Sequence, residues 1–192
     1  MTRSIKGWAC AGLLAAVLVG CGGGGGDAGG GGTSGGGGST PGLTITGVAA
    51  TGAAFTDATV SVIDSRGVTV GSGAAVQTDG TYSITLAADA VAPFVLIASR
   101  TDANGDTQQL VSVLASATET VANITPITTL IASRLSPSGD PGNLADELAS
   151  GSATITPQAV SNVVTEVKTI LDGLLTATGT ADFDPLTDTF AT

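Results

Sequence analysis

A chain of 192 residues with a formal charge of −10 and no histidine has room for one domain plus accessory segments. It lacks the side chain on which most catalytic triads and zinc sites depend. Both cysteines lie at or before position 21, so thiol chemistry and disulfides are excluded from everything that follows them.

Residues 1 to 20 read as an export signal: Arg3 and Lys6 precede an apolar run from 8 to 19, shorter than the roughly 20 residues a spanning helix needs. The ending Leu18-Val19-Gly20-Cys21 resembles a bacterial lipobox. That resemblance implies a diacylglyceryl group on the Cys21 thiol, cleavage just before it, acylation of the new amine and loss of Cys10 with the leader. It also implies that the partner of Cys21 is a membrane. With Gly22 rather than aspartate behind the cysteine, the outer membrane is the expected destination. One acyl chain binds only marginally, at about 0.8 kcal/mol per buried CH₂, so three chains make anchoring permanent.

Residues 21 to 42 are the lipidated cysteine and a linker. Fourteen of the 21 residues from 22 to 42 are glycine, too few apolar side chains to offset the entropy of ordering. Such a coil has an r.m.s. span of about 25 Å and a full reach of about 70 Å. A glycine loop that cradles phosphate needs a strand before it and Lys-Ser or Lys-Thr after it, and this one has neither.

From residue 43 to about 123 the chain alternates short β-prone runs with Gly, Asp and Asn. Strands are expected near 44–50, 58–63, 68–76, 81–86, 93–99, 107–114 and 119–123. Period-two alternation puts Val60, Val62, Tyr82, Ile84 and Leu86 on buried faces. Asp64-Ser65-Arg66-Gly67, Asp79-Gly80 and Asn104-Gly105 are turns, the last two of the kind that favours tight hairpins. Seven short strands indicate a mainly β fold, an antiparallel Ig-like sandwich, followed by a small α-helical segment.

Thr46-Gly47-Val48, the run from Phe55 through Asp57 to Val62, and Thr78-Asp79-Gly80-Thr81-Tyr82-Ser83-Ile84 resemble the carboxypeptidase-regulatory-like domain, a transthyretin-like sandwich. The resemblance covers roughly residues 43 to 100. It departs from the family at Asp57, where glycine is usual. Because its motifs are strands and turns, it implies a fold and an accessory, spacer or binding role, and no chemistry.

Residues 124 to 192 read as a helical extension and an irregular tail. Thr125-Pro126 and Thr156-Pro157 are helix starts, with an N-cap threonine and a first-turn proline. Val160, Val163, Val164, Val167, Ile170 and Leu171 share one helical face, and that helix should end near Asp172-Gly173. Residues 136 to 142 form a loop, and 144 to 148 a short helical turn. The run Pro93-Phe94-Val95-Leu96-Ile97-Ala98 has no polar face, so something must cover it; the stripe Val160, Val164, Val167 and Leu171 is the expected cover. The run from Ala122 to Leu130 resembles a junction found in bacterial surface lipoproteins, and from 178 onward there is no clear period.

No constellation for catalysis, a cofactor or a metal emerges. The four cations beyond the leader, Arg66, Arg100, Arg134 and Lys168, are scattered over an acidic chain, which argues against nucleic acid. A Ser-Lys dyad would need Lys168, which has no signature serine beside it. Asp102, Asn104 and Asp106 are spaced like a calcium loop, but Val113 stands where the bidentate glutamate belongs, and a hairpin turn is preferred. The expectation is a non-enzymatic, lipid-anchored envelope module, structural or binding, with a protein or polysaccharide as the class of ligand. The alternatives are the N-terminal anchor of a longer surface adhesin or envelope-assembly protein and, less favoured, a carboxylate- or Ser/Thr-based hydrolase.

Overall fold

The computed structural model describes residues 42–189. The expected signal at 1 to 20, Cys21, the linker up to residue 41 and the last three residues lie outside the described residues.

Among the described residues, six strands form two sheets. β1 (Thr44–Val48) pairs antiparallel with β4 (Thr81–Thr85), while β2 (Thr59–Ile63), β3 (Thr69–Ala75), β5 (Phe94–Thr101) and β6 (Thr107–Leu114) form a sheet in the order β3-β2-β5-β6. The expected alternation is present in β4, where Tyr82 and Ile84 are buried and Thr81, Ser83 and Thr85 exposed. Ile45, Val60, Val62, Phe94, Leu96 and Leu114 meet between the sheets with Tyr82 and Ile84. This is the aliphatic core that the composition requires. Asp57 lies in the left-handed region at φ 60, a conformation glycine adopts freely and aspartate tolerates.

The seventh strand expected at 119–123 does not form. Instead, isolated parallel bridges join Thr46 to Val121 and Ala49 to Ile124, continuing the smaller sheet past β1. The ladder is interrupted because the Ala122 carbonyl accepts the Tyr82 hydroxyl. The Val48 amide then donates to the Asn123 side chain, 3.2 Å away. Gly47 permits this approach, since a Cβ there would lie 1.9 Å from the Ala122 oxygen.

The Asp79-Gly80 turn also differs from expectation. β3 pairs with β2 and β4 with β1, so this turn carries the chain from one sheet to the other. The Asn104-Gly105 turn does close a hairpin, between β5 and β6, in register from Phe94↔Leu114 to Thr101↔Thr107.

Among the described residues, four helices follow the sandwich: α1 (Pro126–Leu135), α2 (Leu144–Ala149), α3 (Pro157–Ile170) and α4 (Asp172–Thr178), with a 3₁₀ turn over Pro141–Asn143. Both threonine-proline starts are N-caps. Thr125 and Thr128 exchange reciprocal side-chain bonds with each other's amides, and the Thr156 hydroxyl accepts from Ala159. Each such cap is worth about 1 kcal/mol.

The fully apolar run of β5 is explained by two cores. Phe94, Leu96 and Ala98 point into the sandwich, whereas Val95 belongs to a second core with Val111, Val113, Ile131 and Ala132. The cover is therefore α1, which packs on β6, and α3 packs on α1. This corrects the expectation that the α3 stripe lies directly on the sheet. Thr128 and Thr129 hold α1 there, their hydroxyls donating to the Val111 carbonyl at 3.0 and 3.3 Å, while the Thr129 oxygen accepts from the Val111 amide at 3.0 Å. Within the stripe, Val160 and Val167 are buried, but Val164 and Leu171 only partly so.

An unpaired carboxylate in this second core carries a large burial cost. In denaturant unfolding, Val167→Asp should lower stability by several kcal/mol of the roughly 5–15 typical of a domain, and Val164→Asp by distinctly less. Equal midpoints for the two variants would contradict the packing order described.

Candidate functional site

Asp64 directly follows β2 and is completely buried. Its Oδ2 lies 2.7 Å from the donating Nε of Arg66, and its Oδ1 accepts the amides of Arg66 at 2.9 Å and Val68 at 3.1 Å. Val91 donates from the loop before β5 at 3.4 Å. Burial alone would raise this carboxyl's pKa. The Arg66 guanidinium and the three amides outweigh that effect and hold it below the usual carboxylate range. The sequence marked Asp64 only as a turn residue; its bonds to Arg66 and Val91 make it a tie between the β2–β3 turn and the loop at 89–91.

Asn123 is the second buried polar centre. Besides receiving the Val48 amide, it donates its own amide to Leu186 and its side-chain nitrogen to the Asp188 carbonyl, both at 2.7 Å. One side chain thus joins the smaller sheet to the C-terminal segment. An asparagine in a β-prone run followed by a helix start was the available signal, but its three partners are distant in sequence.

The remaining shifted carboxylates serve loops. Hydroxyl bonds from Ser136 and Ser138 lower the pKa of Glu147, and the hydroxyl and amide of Thr81 lower that of Asp79. Asp102 accepts the amides of Asn104 and Asp106, each at 2.9 Å, so its carboxylate closes its own hairpin. Among the described residues there is no group of three acidic, histidine or cysteine side chains placed to hold a metal ion. Lys168 borders a shallow depression with Thr165, Thr169 and Asp172.

One recess has a volume of about 440 Å³ and is lined chiefly by Ala50, Pro126, Ile127, Leu175, Phe183 and Pro185. Its size falls in the usual range for ligand pockets, and no charged residue lines it among those described. Threonines supply its polar atoms, and the Thr125 hydroxyl is already engaged in capping α1. Two strand edges are covered as well: α1 covers β6 at Val111, and the 121–124 segment covers β1. Strand addition therefore finds no bare edge at either place.

Residues 39–117 match the model of the bacterial Ig domain. Over this stretch the chain is similar to a bacterial Ig domain, and its described residues are mainly β, with two antiparallel sheets followed by helices. No curated protein and no solved structure matches the chain. The lipidation site expected at Cys21 lies outside the described residues.

Because Asp64 has a depressed pKa when folded, its contribution is complete above the unfolded value of about 3.9. It is lost as pH falls through the lower folded value. Asp64→Asn should cost about 1.5–3 kcal/mol at neutral pH, toward the low end because Arg66 is 44% exposed. The gap between wild type and variant, measured by urea unfolding, should close below that carboxylate range. A gap independent of pH would refute the charge-based account.

Proposed function

We propose that this chain is a bacterial envelope lipoprotein whose Ig-like sandwich, of the transthyretin-like kind, acts as a structural or binding module. In this reading the acylated Cys21 holds it to the outer membrane, and the glycine-rich segment is the tether. The observation that carries the reading is the order of parts: a lipobox-like Leu18-Val19-Gly20-Cys21, a glycine tract, and then a bacterial Ig-like domain beginning at residue 39.

The chemistry supports a binding role over catalysis. A general acid or base working near neutrality needs its pKa moved toward 7, whereas Asp64, Asp79 and Glu147 are moved the other way. Burial pushes the Tyr82 hydroxyl up, out of any useful range. A net charge of −10 makes nucleic acid a poor partner and leaves a protein or a polysaccharide as the ligand class.

The test is metabolic labelling with a tagged fatty acid followed by membrane fractionation. Wild type should carry label and sediment with membranes, and Cys21→Ser should lose the label and accumulate as unprocessed or mis-sorted precursor. Normal processing and equal membrane retention in the variant would sink the proposal.

A further inference from the structure

Asn104 is the one asparagine of the chain that precedes glycine. It stands exposed at the tip of the β5–β6 hairpin, and its side-chain amide has no hydrogen-bond partner among the described residues. Gly105 has φ +90, and a Cβ built on it would meet nothing within 4 Å, so no neighbouring side chain crowds the position that follows Asn104. The other three asparagines are placed differently. Asn123 is buried with both ends of its amide bonded. Asn162 accepts from Gln158 inside α3 and precedes the β-branched Val163. Asn143 precedes the buried Leu144.

We infer that Asn104 is a site of spontaneous deamidation, with water as the co-reactant. The Gly105 backbone nitrogen attacks Cγ of Asn104, forming a new C–N bond and a five-membered succinimide. The Cγ–Nδ2 bond breaks, and the proton lost by the Gly105 nitrogen leaves with Nδ2 as ammonia. Water then opens the ring at one of its two carbonyls, leaving aspartate or isoaspartate at position 104. No electrons are transferred to or from another group.

The hairpin governs the rate. The Gly105 amide donates to the Asp102 carbonyl at 3.0 Å, so the attacking nitrogen is held in its protonated, bonded form while the turn is closed. The Asp102 carboxylate reinforces the closure through the amides of Asn104 and Asp106. Opening of the turn releases the nucleophile. The product places a third carboxylate between Asp102 and Asp106, and the isoaspartyl form adds a methylene to the backbone next to the Thr101↔Thr107 pair, loosening the tip.

The experiment incubates the full chain in mildly alkaline buffer and follows each asparagine by peptide mapping with fragmentation that separates aspartyl from isoaspartyl products. Conversion should be first order at Asn104, should accelerate with pH, and should leave Asn123, Asn143 and Asn162 intact over the same period. Gly105→Ala should suppress it strongly, and Asp102→Ala, which removes the carboxylate clamp, should speed it several-fold. Conversion elsewhere before Asn104, or an unchanged rate in Gly105→Ala, would overturn the assignment. An unchanged rate in Asp102→Ala would overturn control by the turn.

Discussion

The central strand β5 is apolar on both faces, and the rest of the architecture follows from that constraint. Phe94, Leu96 and Ala98 are covered by the smaller sheet, and Val95 by a layer of helix, so the four-stranded sheet is the middle of three layers. Buried aliphatic side chains are each worth roughly 1.5–3 kcal/mol. A sheet with Val95, Val111 and Val113 left in water would forfeit several such contributions and expose an apolar patch. α1 is therefore part of the same folding unit as the strands, although the match to the bacterial Ig domain ends at residue 117.

Polar side chains at a few interior positions give this apolar assembly its register. Hydrophobic burial is nondirectional and would allow α1 or the 121–124 segment to slide. The hydroxyls of Thr128 and Thr129 bind one residue of β6, Val111, and Asn123 bonds Val48, Leu186 and Asp188. Leaving any of these groups unpaired in the interior would cost about 1–3 kcal/mol, so each bond penalises alternative placements. Asp64 does the same for the β2–β3 turn, with the added strength of a charged acceptor.

The same economy of chemistry bears on function. The ionisable groups that the fold perturbs are used to hold loops and turns, and the recess between α1, α4 and the segment at 180–185 is lined by apolar and threonine side chains. The exposed turns carry the reactive positions, as the Asn104-Gly105 tip illustrates.

The local code was legible in the sequence wherever one residue and its near neighbours decide the outcome. Period-two alternation located Tyr82 and Ile84, the threonine-proline pairs located the starts of both long helices to the residue, and the continuous run of β5 signalled two buried faces. Asp57 in the left-handed region shows the same locality, since aspartate tolerates what the glycine of the resembled family adopts freely. What only the tertiary structure decided depends on partners far along the chain. The 119–123 segment has β-prone residues, but whether it forms a strand depends on a carbonyl claimed by the Tyr82 hydroxyl, about 40 residues earlier. Which helix covers the sheet depends on hydroxyl bonds to Val111, and the stripe on α3 looked equally suited because amphipathic spacing specifies a buried face without naming its partner. Asp64 and Asn123 read as ordinary turn and strand residues for the same reason: a polar side chain shows its role only when the fold has brought its donors and acceptors together.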